Sequence, residues 1–193
     1  MEVVGLTGNI GSGKSTIARA FIALGIPVFN SDDEAKKAYT IPSIQNEVKT
    51  ILGIEIDFSK DSWKSEIASI IFSKVEKRLR LEKLIHTHVQ NEFISWKAKQ
   101  HSKYIIREAA LANSFQKENC DWLIEVIAEK ETRMRRVLQR SGLIEDEFSK
   151  RDNLQKPNDT FPTDKIFQIQ NNDTDTVLKK IIKIHKNLSF LGS

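Results

Sequence analysis

Apolar residues along the chain switch between two periods. Val3-Val4-Gly5-Leu6-Thr7, beginning at Glu2, is a short continuous apolar run that predicts a buried strand, and a glycine-rich turn follows it directly. From Ser15 to Leu24 the apolar positions fall at helical spacing, and Gly25 supplies the left-handed residue that ends such a helix. Pro27-Val28-Phe29 predicts a second strand. Ser31-Asp32-Asp33-Glu34 behind it predicts a helix N-terminus running to about Tyr39, with a capping side chain and acids suited to the positive end of the helix dipole. Between Pro42 and Gln100 the pattern is helical throughout. Ile67, Ile70, Ile71, Lys74 and Val75 recur at spacings of three and four, and so do Leu81, Leu84, Ile85, His88 and Val89. Lys103–Arg107 and Trp122–Val126 read as strands, with a helix over Ala109–Lys117 between them. Lys130–Arg140 is a basic helix and Glu145–Gln155 another after Gly142, while Asn153–Pro162 is polar and irregular. A last strand near Ile166–Ile169 precedes an amphipathic helix carrying Val177, Leu178, Ile181, Ile182 and Leu188. Strands alternating with helices predict a parallel sheet between helical layers, a three-layer α/β fold.

Composition narrows the setting. A length of 193 residues suits one domain with modest insertions, and 39% hydrophobic with 29% charged residues describes a globular chain rather than a disordered or fibrous one. Charge interrupts every apolar run well short of the ~20 residues a membrane helix needs. The N-terminus lacks the basic n-region of a secretory signal, and the single cysteine, Cys120, excludes an intrachain disulfide and a zinc ribbon. The expectation is a cytoplasmic protein, a monomer or weak oligomer, with no membrane partner. Thirty Lys+Arg against 26 Asp+Glu leave a net charge of +4, which fits either nucleic acid or small anionic ligands. Lysines are evenly scattered, and Trp63, Trp96 and Trp122 are too thinly spread for a base-stacking platform, so nucleic acid is not the expected partner.

Gly8-Asn9-Ile10-Gly11-Ser12-Gly13-Lys14-Ser15, with Thr16 behind it, matches G-x-x-x-x-G-K-[ST] and lies between a predicted strand and a predicted helix, as a phosphate-binding loop must. Its glycines let backbone N–H groups converge on phosphate oxygens, and the helix adds its positive end. Lys14 is expected to neutralise the β- and γ-phosphates of a nucleoside triphosphate, and the Ser15 hydroxyl to ligate Mg²⁺. The fold class is then a P-loop NTPase core. Ligands gather beyond the carboxyl ends of parallel strands, where Asp32 follows strand two. A carboxylate there accepts the proton of an attacking hydroxyl or helps hold the metal, or else it caps a helix, and the tandem acids leave these roles open. Lys130, Arg133, Arg135, Arg136 and Arg140 form the densest basic cluster. With Met134, Val137 and Leu138 as the buried stripe, Arg140, and Arg136 beside it, are the expected contacts to the transferring phosphoryl group. His86 and His88 point to different helix faces and do not form a metal pair.

The stretch Leu6-Thr7-Gly8 to Thr16, followed by Leu24-Gly25-Ile26-Pro27-Val28-Phe29-Asn30-Ser31-Asp32, resembles the opening of the dephospho-coenzyme A kinase family, in which a D-A-D triplet follows strand two. Lys64 with Ile67-Ala68 and Ile71-Phe72 is similar to that family's R-x-x-L-A-x-x-V-F, and Leu81 to Val89 to its L-E-x-I-x-H-P-x-V. Glu108-Ala109-Ala110-Leu111, Arg140-Ser141-Gly142-Leu143 with Arg151 and Gln155, and Ile169-Gln170-Asn171 continue the similarity in order along the chain. The resemblance implies transfer of the ATP γ-phosphoryl group to the ribose 3′-hydroxyl of dephospho-CoA. It makes Asp32 the base, assigns Lys64, His86 and a helical insertion at 57–100 to the acceptor side, and puts Arg140 in a lid at 136–162 that covers ATP. Asn30 stands in place of the first triplet acid, Lys64 of an arginine, Thr87 of a proline, and Ala112-Asn113 of an acidic position. Lysine lacks arginine's planar two-pronged fork, so a phosphate contact at 64 differs in shape. The rival functions are a nucleoside or nucleoside-monophosphate kinase, and a non-catalytic P-loop nucleotide-binding protein.

Overall fold

The structure, a computed structural model, describes residues 1–110, 115, 119–141, 144–155, 161–173 and 175–191. Strand β1 (Glu2–Thr7) is buried at every position from Val3 onward, as a central parallel strand covered on both faces requires. It lies between β3 (Tyr104–Glu108) and β4 (Trp122–Ile127). Strands β2 (Val28–Asn30) and β5 (Ile166–Gln170) take the edges, giving the order β2-β3-β1-β4-β5 with every pairing parallel. The α/β expectation holds. The chain leaves β1 toward one edge and β3 toward the other, so the carboxyl end of β1 is the crevice where ligands collect in such sheets.

The chain divides into two units, the first formed by Met1–Asn30 with Gln100–Ser193. On one face of its sheet, Ile17, Ala18 and Phe21 of α1 (Lys14–Ala23) and Ile181, Ile184 and Leu188 of α8 (Val177–Leu191) pack on Val4, Leu6, Ile106, Ile124 and Ile169. Phe115, Cys120, Leu123 and Phe161 form a second cluster. The first helix stops as expected: Gly25 adopts φ 79°, its N–H donates to the Ile22 carbonyl at 2.9 Å, and the N–H of Ile26 reaches the Phe21 carbonyl at 3.1 Å. Helices α6 (Lys130–Ser141) and α7 (Glu145–Leu154) follow β4. Residues 111–114 and 116–117 of the helix expected over Ala109–Lys117, the acidic position sought at Ala112-Asn113, Gly142-Leu143 and part of the polar stretch before Pro162 lie outside the described residues, while Ala109, Ala110 and Phe115 are described and not helical.

The second unit, Ser31–Lys99, is helical. It comprises α2 (Ser31–Ala38), α3 (Pro42–Leu52), α4 (Trp63–Ser73) and α5 (Val75–Lys97). Leu81, Ile85, Val89 and Phe93, four apart, form the buried spine of α5, and Lys77 ties that helix to the Leu52 carbonyl. The apolar repeat through Val75 does not make one continuous helix. Lys74 leaves helical geometry at φ −123° and ψ 88°, so Val75 opens a new helix, 56% exposed, while Ile67 is the buried residue of α4. Trp63 packs between Tyr39 and Phe58, with ring centroids 4.9 and 5.5 Å away.

Two outcomes are expected. Phe21→Ala, at a fully buried site, costs about 3–5 kcal/mol, read as a lowered urea midpoint. Burial pushes the Cys120 thiol up to about 12, and the Gly5 N–H donates to its sulfur at 3.0 Å. A thiol reagent at about pH 8 should therefore leave Cys120 unmodified until the protein is denatured, and rapid labelling of the native protein would contradict this burial.

Candidate functional site

Residues 8–13 connect β1 to α1, and their backbone requires glycine. Gly11 and Gly13 sit at φ 80° and 93°, in the left-handed region. A Cβ at Gly11 would overlap the backbone of Arg133, and one at Gly13 the side-chain amide of Asn171. Ser12 is fully buried, and its hydroxyl has no hydrogen-bond partner among the described residues. Helix α1 starts on Gly13 without a side-chain cap and without an acid in its first turn. A helix N-terminus of this kind attracts anions through its first N–H groups and its dipole.

The loop's carbonyls are held by side chains, one from the loop itself and three from distant parts of the sequence. Lys14 folds back so that its ammonium donates to the Gly8 carbonyl at 2.5 Å. Arg133 donates to the Ile10 carbonyl at 3.3 Å, Arg136 to that of Gly11 at 3.5 Å, and Asn171 to that of Ser12 at 2.7 Å. Arg133, 7% exposed, also donates to the Ala128 carbonyl, pairs with Asp152 and lies over the Phe148 ring. Asp152 in turn accepts from Asn9 at 3.1 Å, and Gln155 accepts the N–H of Ile10. Arg133 therefore occupies the buried stripe of α6 together with Val137, whereas Met134 and Leu138, expected there, are half-buried. Its partners at positions 10, 128 and 152 satisfy the charge, which makes burial of an arginine tolerable.

A cavity of about 810 Å³ opens beside the loop, within the range of nucleotide-sized pockets. Lys14, Ser15, Thr16, Arg136, Arg140 and Arg151 are among its lining residues, and among the described residues no carboxylate lines it. The structure thus brings together Ile10, Gly11, Gly13, Lys14, Ser15, Thr16 and Arg140 of the expected site. Asn9 contacts Asp152, and Ser12 is turned inward. Arg140 is exposed, whereas Arg136 is half-buried and paired with Asp173 at 2.9 Å.

Asp32, Lys64 and His86 belong to the second unit. Asp32 is exposed in the first turn of α2, ahead of Asp33, which pairs with Lys36 at 2.7 Å. Lys64 is exposed, its ammonium 5.5 Å from the Trp63 ring centre. His86 is exposed on α5. A groove of about 700 Å³ between α3 and α5 is lined by Arg80, Lys83, Thr87 and His88. His86 lies on another face of α5, so the helix does not bring it to that groove with them.

One acid was missed. Glu108, the last residue of β3, is 5% exposed, and one carboxylate oxygen accepts from the Ser15 hydroxyl at 3.3 Å while the other accepts from the Asn30 amide at 3.4 Å. The available signal was its position at the end of a strand neighbouring the loop-bearing one, which becomes visible only once the strand order is known.

A family model described as CoaE, dephospho-CoA kinase, matches residues 2–176. A dephospho-CoA kinase of Porphyromonas gingivalis is 31% identical over 144 residues, 74% of this chain and 71% of that protein. One from Aquifex aeolicus is 29% identical over 194 residues, 98% of each. A crystal structure of a Thermus thermophilus protein superposes with a TM-score of 0.82 at 26% identity, covering 96% of both chains.

Burial raises the Asp152 carboxyl, but hydrogen bonds from Arg133 and Asn9 and the charges of Arg133 and Lys130 outweigh it and hold the group below its ordinary 3.8. A carboxyl depressed in the folded state stabilises the protein above its ordinary value, and that contribution is lost as pH falls through the lower folded one. Urea midpoints taken from about pH 6 down to about pH 2 should therefore drop less steeply in Asp152→Asn than in the wild type, and parallel curves would show that the pair does not contribute.

Proposed function

The chain belongs to the dephospho-CoA kinase family, and on that premise we propose how its own residues move the γ-phosphoryl group of ATP onto dephospho-CoA, the final step of coenzyme A biosynthesis. The observation that carries the reading is the cationic cavity beside an uncapped helix N-terminus, where Lys14, Ser15, Arg136, Arg140 and Arg151 line one space. Phosphoryl transfer needs little covalent help from protein, and catalysis is positioning together with charge stabilisation.

Lys14 and the loop amides hold the β- and γ-phosphates. The hydroxyl of Ser15 would hold Mg²⁺. The Ser15 side chain lines the same cavity as Lys14, and a hydroxyl is the kind of hard oxygen donor that would suit such an ion. When bound, the ion neutralises phosphate charge. Arg140, exposed at the cavity, steadies the charge that develops on the transferring group. Asp32 aligns the ribose 3′-hydroxyl and takes its proton. Lys64, His86 and the helical insertion at 57–100 serve the acceptor, and the lid at 136–162 covers ATP and excludes water, which suppresses hydrolysis. We place the enzyme in the cytoplasm as a monomer or weak oligomer. No helix among the described residues is long and apolar enough to cross a membrane.

Mixing the protein with ATP-Mg²⁺ and dephospho-CoA should release ADP and form CoA, and nucleosides or nucleoside monophosphates should not substitute. ADP release no faster than background hydrolysis would sink the reading. Asp32→Asn should lower kcat about 10²–10⁴-fold with little change in ATP affinity, whereas near-normal turnover would leave Asp32 as a helix-terminal charge alone. Lys64→Ala and His86→Ala should raise KM for dephospho-CoA and not for ATP, which initial-rate kinetics in each substrate separate.

A further inference from the structure

Three consecutive side chains after β5 reach three different parts of the first unit. The Asn171 amide donates to the Ser12 carbonyl at 2.7 Å, and the Asn172 side-chain oxygen accepts the N–H of Glu129 at 3.0 Å, just ahead of α6. The Asp173 carboxylate takes Arg136 with one oxygen at 2.9 Å and Arg135 with the other. The backbone of this turn is fixed as well, since the Asn171 N–H donates to the Ile127 carbonyl at 2.8 Å and so continues the β4–β5 pairing. Asp173 is the charged member of the three, and one of its two partners, Arg136, lines the cavity beside the phosphate loop.

Arg136 has reason to need such a partner. Its contact to the Gly11 carbonyl, at 3.5 Å, is at the limit of a hydrogen bond, whereas the shorter contact to Asp173 joins two ions. Lys14, Arg19, Arg140 and Arg151 line the same cavity, and among the described residues no carboxylate does. Arg140 stands four residues after Arg136 on α6, a spacing at which like charges repel. An untethered guanidinium at 136 would turn toward water, and a nucleotide would have to order that long side chain on binding, at a loss of affinity. The carboxylate stays ionised: hydrogen bonds from Arg136, above all, and from Arg135 hold Asp173 below its ordinary 3.8.

We propose that Asp173 is a positioning residue of the nucleotide site, which holds the Arg136 guanidinium at the cavity wall before ATP arrives. The proposal rests on the reading of that cavity as the place of ATP. Preorganisation of this kind acts on binding and not on the chemical step, which sets it apart kinetically from the roles of Asp32 and Arg140. Binding of ATP-Mg²⁺ is followed by titration calorimetry with no acceptor present. Asp173→Asn, close in shape but without the charge, should weaken ATP binding about 3–10-fold, while kcat and the KM for dephospho-CoA stay within about twofold of the wild type. Arg136→Ala should weaken ATP binding by at least as much, and Asp173→Asn added to Arg136→Ala should bring no further loss, because the carboxylate acts only through that side chain. Unchanged or tighter ATP binding in Asp173→Asn overturns the proposal. Additive losses in the double variant overturn it too, since the carboxylate would then support the turn or the ligand by another route. Lys14→Ala run alongside keeps the two readings apart. If it weakens ATP binding and Asp173→Asn does not, the Asp173 assignment alone fails, and if neither does, the reading of the cavity fails with it.

Discussion

The ion pair between Arg133 and Asp152 holds the phosphate loop from behind, and much of the site depends on it. A loop that offers its N–H groups to phosphates must give its carbonyls to something else, and in this protein side chains take four of them, those of Gly8, Ile10, Gly11 and Ser12. Burying a guanidinium and a carboxylate is unfavourable by several kcal/mol per ion unless their hydrogen-bonding capacity is used. Here Arg133 reaches Ala128, Ile10 and Asp152, and Asp152 also accepts from Asn9. Helices α6 and α7 are thereby bound to the loop by the same contacts that give it its shape.

That arrangement explains the distribution of charge. Within α6, Arg133 is consumed by the loop and Arg135 and Arg136 share Asp173, while Arg140 is exposed at the cavity. Positions three and four apart on one helix thus differ in task because each meets a different neighbour, and the helix's basic character alone does not assign them.

The loop itself was legible because its eight residues are contiguous and flanked by a strand and a helix whose patterns are local. The same holds for Gly25 and for the α5 spine, which obey short-range rules. Arg133 was not legible. Its partners lie at positions 10, 128 and 152, and a basic residue in a run of basic residues reads as solvated until those segments are seen to converge. Glu108 escaped for a related reason, since strand order, not chain order, puts it beside Ser15. The break at Lys74 was hidden by an apolar repeat that continues across it.

Gly13 and Asn171 are 158 positions apart and behave as a single structural unit: the amide that holds the Ser12 carbonyl fills the space where a Cβ at 13 would stand. Neither position can drift freely unless the other changes with it. A combinatorial library that randomised residues 8–15 alone would be searching within a mould already cast by residues 133, 152, 155 and 171. Transplanting the loop into another scaffold would likewise require carrying those four side chains along, so the smallest portable version of this nucleotide cradle is discontinuous.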